Sequence, residues 1–169
     1  KTVSWVAGVE TFRESTGYLY FDGLDARRRT APAINDRETE LDSVSAFLEL
    51  QAEVHPLFMP SVGLRYDRFE GTCTPLGPET GTQPCEDLND LDNLAPKLGV
   101  RSRIVDGFEL RASYARGFAL PNGWVKYQFE AANLDPVEFD QIEVGANWRP
   151  VPQLAFDVAV FRLDSSGEV

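Results

Sequence analysis

Two clusters of cationic and aromatic side chains in this chain have the makings of an anion site. Arg27, Arg28 and Arg29 follow closely on Tyr18, Tyr20 and Phe21, and Trp124, Lys126 and Tyr127 fall within four positions of one another. A guanidinium or ammonium beside a ring can hold an anionic ligand through charge-assisted hydrogen bonds and a flat apolar surface. Two duller readings stay open. The arginines would equally suit lipopolysaccharide phosphates or acidic neighbouring loops, and the second cluster would suit ordinary loop packing.

Cys73 and Cys85 are the only cysteines, and both fall in one polar stretch. In an exported protein such a pair is expected to form a disulfide, restricting the unfolded loop by ~3 kcal/mol. A structural zinc site wants four Cys or His ligands, and the only histidine, His55, lies in a separate turn. The same stretch holds Glu79, Glu86, Asp87, Asp90 and Asp92, with no basic residue between Gly71 and Asn93. Carboxylates at that density could hold Ca²⁺, but the glycine and terminal glutamate of an EF-hand are missing, and a solvated acidic loop is the alternative. No Ser-His-Asp set, glycine-rich phosphate loop or helix-borne metal pair is present, so neither an enzyme nor a cofactor is expected.

The elements that would carry these residues show themselves by alternation. From Ser43 to Val54, Val44, Ala46, Leu48, Leu50, Ala52 and Val54 share one parity while Ser43, Ser45, Glu49, Gln51 and Glu53 share the other, with Phe47 the exception on the polar side. A period of two puts an apolar and a polar face on a strand of roughly ten residues, which crosses an outer membrane when tilted. Similar rows run through Lys1–Glu10, Ser61–Phe69, Lys97–Arg103, Phe108–Tyr114, Gln141–Trp148 and Leu154–Val160, making seven candidate strands. The gaps between them alternate long and short, which a soluble sandwich has no reason to do. The expected fold is all-β: an antiparallel up-and-down meander of about seven strands, part of a larger transmembrane β-barrel. Open edges in lipid are costly, so the missing strands would come from sequence beyond this chain.

Register can be tested at the short gaps. With Val105, Asp106 and Gly107 as a three-residue loop and Gly107 left-handed, Arg103 faces Glu109, Arg101 faces Arg111 and Ile104 faces Phe108. A plain two-residue turn would oppose Arg103 to Leu110 and mix the faces. Trp5, Tyr66, Phe69, Tyr114, Phe118, Trp148 and Phe161 fall near strand ends, where interfacial rings would sit. The polar face carries Arg65, Arg101, Arg103 and Arg111 together with Glu49, Glu53, Asp67, Glu109 and Glu143.

Composition bounds less. A formal net charge of −11 argues against nucleic acid as a partner. No apolar run is long enough for a transmembrane helix, a test that barrel strands evade because half their residues face a polar lumen. Lys1 opens without an initiating Met or a signal peptide, so the chain reads as an interior window of a longer protein.

One resemblance adds to this reading. Ala95-Pro96-Lys97-Leu98-Gly99-Val100, then Leu110-Arg111-Ala112-Ser113-Tyr114-Ala115-Arg116-Gly117-Phe118-Ala119-Leu120-Pro121, then Asn133-Leu134-Asp135-Pro136 and Glu143-Val144-Gly145 resemble the barrel of a TonB-dependent outer-membrane receptor. That family runs a P-x-L-G strand into an R-A-S-Y-x-x-G-F-R-x-P strand, then an N-L-x-P-E loop and an E-x-G strand. Ala119 stands where arginine is common, and Val137 where glutamate is common, with Glu138 one place later. The motifs cover about the last half of the chain and the strand rhythm all of it. The resemblance implies that residues 1–169 are a partial receptor barrel, without plug domain or closing strand, in the outer membrane of a Gram-negative bacterium. It implies import of a scarce ligand such as a ferric siderophore or cobalamin. The implied partners are that ligand, the plug domain of the same parent chain, the TonB energy complex and outer-membrane lipid. Ligand contact is expected on Arg27, Arg28, Arg29, Trp124, Lys126 and Tyr127. A passive porin-like channel segment and a soluble exported β-sandwich binding module are the competing readings.

Overall fold

Seven strands follow one another in the sheet in the order in which they occur in the sequence, each antiparallel to the last, in a computed structural model that describes residues 2–21, 33–77, 85, 87–120 and 136–167. They are β1 (Thr2–Phe21), β2 (Ala33–Glu53), β3 (Met59–Pro75), β4 (Leu88–Val105), β5 (Phe108–Ala119), β6 (Val137–Val151) and β7 (Leu154–Ser166). The sheet is not closed, since β1 and β7 each pair on one side only.

Packing is inside out. The outward row of β3, with Val62, Leu64 and Tyr66, is exposed, while Gly63, Asp67 and Gly71 on the other face are buried. Val9 is 74% exposed and Val160 70%, whereas Met59 is the only buried apolar side chain among the described residues. Water would not tolerate such rows, and a sandwich would have buried them against a second sheet. The observed single layer therefore sets the sandwich architecture aside.

The strands outrun their alternation. Arg13 pairs with Asp42, Thr16 with Thr39 and Tyr20 with Asn35, so much of the expected first long gap is ladder. Likewise Glu70 to Pro75 pairs with β2, and β4 begins at Leu88. Tyr18, Tyr20 and Phe21 therefore belong to β1 and not to a loop. The physical reason is that lipid imposes an apolar parity only over its own thickness. Beyond it the hydrogen-bond ladder continues without a sustained apolar parity, so in a membrane wall the pattern would mark the lipid level and not the strand end. At ~3.3 Å per residue, the 20 residues of β1 extend roughly twice as far as a ten-residue span.

At the β4–β5 hairpin, Arg103 faces Glu109 and Arg101 faces Arg111 as expected, but Val105, not Ile104, pairs with Phe108. Asp106 and Gly107 form a two-residue turn, with Gly107 at φ +79°, and a register shift at Ile104 absorbs the odd residue. A bulge restores phase by dropping one residue from the ladder, an option that parity alone does not reveal.

Candidate functional site

The polar face is knitted by charge across neighbouring strands. On β3, Arg65 donates to Asp67 at 2.8 Å and reaches Glu10 of β1 at 3.0 Å, while the Ser45 hydroxyl of β2 also donates to Asp67. Lys97 lies 3.5 Å from Glu49, and Arg101 lies 3.9 Å from Glu109. Arg111 of β5 donates to Glu143 at 3.3 Å and, across β6, to Asp157 of β7 at 2.7 Å. That reach depends on Gly145, where an added Cβ would lie 2.8 Å from the guanidinium carbon of Arg111. Of the polar-face carboxylates expected from sequence, Glu53 makes no ion pair among the described residues.

Phe47 has a local explanation as the apolar exception. It pairs with Gly8 of β1, and its ring lies where a Gly8 Cβ would be, 2.6 Å from that position. The aromatic covers a bare stretch of backbone on the neighbouring strand, the same device by which rings compensate glycines in sheets.

A feature that sequence reasoning missed lies on the outward face, just past the apolar rows. Arg13 pairs with Asp42, Arg68 with Glu70 and Asp90, Arg116 with Asp140 and Glu138, and Arg162 with Asp164. Beneath this band the Tyr66 hydroxyl donates to Asp92 and the Tyr114 hydroxyl to Asp140, each at 2.6 Å. The Arg116 guanidinium first, and the Tyr114 hydroxyl second, hold the Asp140 carboxyl below the usual carboxylate range. The signal was legible: Arg68-Phe69-Glu70 and Arg162-Leu163-Asp164 put opposite charges two positions apart, hence on one face, directly after an apolar row.

Of the rings expected in an aromatic girdle, Trp5 and Trp148 lie on the outward face, Trp148 stacking on Phe156 at 5.6 Å, whereas Phe161 stands opposite Glu143 on the polar face and cannot belong to it. Phe69 and Phe118, by contrast, meet edge-on at 5.5 Å and are half-buried, so these two rings pack on each other and do not stand free at an interface.

Cys73, near the end of β3, is joined to Cys85 by a disulfide. Asp87 accepts a hydrogen bond from the Cys73 N–H at 3.0 Å, and Asp90 and Asp92 are engaged by Arg68 and Tyr66, so these carboxylates serve their own strands. Glu79 and Glu86 lie outside the described residues, and among those described no three His, Cys, Asp or Glu side chains gather as a metal site. His55 closes the β2–β3 turn, its Nδ1 accepting from the Leu57 N–H at 3.1 Å. Arg27, Arg28, Arg29, Trp124, Lys126 and Tyr127 lie outside the described residues.

The arrangement is a wall with a charged face and an exposed apolar face. The family model described as TonB dependent receptor-like, beta-barrel, matches residues 2–169. No curated protein matches the sequence. Among solved structures, the siderophore receptor PiuA from Acinetobacter baumannii is 18% identical with a TM-score of 0.73, over 94% of this chain and 28% of that one. The ferric citrate transporter FecA is 16% identical with a TM-score of 0.77, over 96% of this chain and 24% of that one. The ferric-catecholate import receptor Fiu from E. coli K12 is 16% identical with a TM-score of 0.68, over 96% and 28%. The chain thus spans about a quarter of the length of these structures, and at such identity the likeness speaks for the fold. With the whole of its described meander inside the family model, this chain belongs to the TonB-dependent receptors, as a segment of their β-barrel.

Proposed function

We propose that the parent protein is an energised outer-membrane transporter of a Gram-negative bacterium, which imports a scarce ligand such as a ferric siderophore, with cobalamin the alternative cargo. The observation that carries this is the charged wall of Arg65, Lys97, Arg101 and Arg111 with Glu10, Glu49, Glu109, Glu143 and Asp157, in a chain matched throughout to the TonB-dependent receptor barrel. Similarity to receptors and transporters for siderophore, ferric citrate and ferric catecholate favours a ferric chelate. In this reading the polar face meets the plug domain of the same parent chain, the outward face meets lipid, and the TonB complex acts through a region outside residues 1–169. The reading is transport, not enzymatic catalysis. Ligand contact is placed on Arg27, Arg28, Arg29, Trp124, Lys126 and Tyr127, which combine cations with rings.

Deleting the parent gene is expected to abolish uptake of a radio-iron chelate by iron-starved cells, and an uncoupler of the proton-motive force to do the same in the wild type. Uptake that survives the uncoupler would replace this reading with a passive porin-like channel. Alanine substitution of Trp124 and Lys126 is expected to weaken chelate binding; unchanged affinity would remove the loop assignment.

A further inference from the structure

Acidic residues outnumber basic ones 27 to 16 in this chain, so an arginine without a carboxylate is the exception. Arg13, Arg65, Arg68, Arg101, Arg111, Arg116 and Arg162 all have one, and Arg37 is engaged as well. Arg103 and Arg149 make no ion pair among the described residues. Both line one recess of about 230 Å³ at the short-turn end of the wall, together with Gly107, Phe108, Glu109 and Asn147. Glu109 stands directly opposite Arg103 yet pairs with Arg101, and the Asn147 amide is turned to Asp157. Asp106, at the tip of the adjoining turn, is exposed and makes no ion pair.

The backbones of the two arginines are held in the same way. The Arg103 N–H donates to Pro56 O of the β2–β3 turn at 2.8 Å, and the Arg149 N–H donates to Gly107 O of the β4–β5 turn at 2.7 Å. Each of these turns leans over to hook the strand beyond its own hairpin, and an arginine stands at each hook. β4 and β6 are separated by β5, which sets the two anchors roughly 10 Å apart.

We propose that this recess binds the carboxylates of an acidic peptide segment that enters the short-turn mouth of the barrel. Two guanidiniums on separate anchors suit acidic side chains two positions apart on one face of an extended peptide, roughly 7 Å. Placing this mouth on the periplasmic side rests on the transporter reading, because in outer-membrane barrels the short turns are periplasmic.

The test uses the whole parent receptor in detergent micelles and fluorescein-labelled hexaglutamate, read by fluorescence anisotropy at low salt. Hexaglutamate is expected to bind, and R103Q/R149Q to weaken it about tenfold or more. R103K/R149K, which keeps both charges, should recover much of the affinity and controls for folding. R162Q, on the outward face, should leave binding unchanged. Equal affinity in wild type and R103Q/R149Q, no binding to the wild type, or displacement by an equal concentration of inorganic phosphate would each overturn the proposal. None of these outcomes touches the transporter reading, which stands or falls with radio-iron uptake.

Discussion

At the scale of single residues, the wall works by letting long side chains cross short ones. Arg111 reaches Asp157 only because Gly145 presents no Cβ beneath its guanidinium. Gly145→Ala is therefore expected to displace that side chain and cost about 1–3 kcal/mol, as overpacking does, read as a lower urea midpoint for the refolded parent barrel. A second residue-scale expectation concerns acid. The Asp140 carboxyl is held below its usual range by Arg116 and Tyr114, so its contribution is complete above the unfolded carboxylate value of about 4 and is lost as pH falls through the folded one. Acid unfolding profiles of Asp140→Asn and wild type should therefore differ by a constant amount above about pH 4 and draw together as pH falls below it through the folded value. Identical separation at every pH would show that the pair contributes through packing instead. Phe47 shows what single-residue reading can and cannot deliver: its misfit to the polar face is plain in the sequence, but its reason, a bare Gly8 on the neighbouring strand, needs the register.

At the scale of elements, parity sorts positions by solvent. Val144 faces outward and is exposed, while Ser113 lies on the polar face opposite Glu143. Val144→Arg in the parent receptor is expected to cost about 2–4 kcal/mol if it falls near the bilayer midplane, and Ser113→Arg much less, both read by unfolding from lipid vesicles. Similar costs would mean that the outward face is not lipid-facing. The number of strands, their order and their faces were legible from alternation, because the bilayer imposes that pattern directly. The strand ends were not, since β1 and β2 go on pairing from Phe12 to Tyr20 without an apolar parity. The shift at Ile104 was hidden for a related reason: two residues in a turn plus one dropped from the ladder conserve the same parity as a three-residue loop. The outward arginine–carboxylate band was spelled out at Arg68-Phe69-Glu70 but escaped a reading that stopped where the apolar rows stopped.

At the scale of the whole molecule, the open seven-stranded sheet is a portion of wall with a charged side and an apolar side. Its family could be recognised from the motifs between Leu94 and Gly145. The ligand could not, because the expected contact residues, Arg27–Arg29 and Trp124–Tyr127, fall outside the strand periodicity and lie outside the described residues. That Met59 is the only buried apolar side chain among the described residues has a consequence for how stability is to be manipulated. In a water-soluble domain, the oil that drives folding is built into the chain and can be altered only by mutation. On the transporter reading the acyl chains are that oil, so the experimenter can repack the hydrophobic phase without touching a codon. Unfolding of the parent barrel from vesicles of graded acyl length should show a stability maximum where lipid thickness matches the rows from Val3 to Val9 and from Leu154 to Val160, declining for both thinner and thicker bilayers.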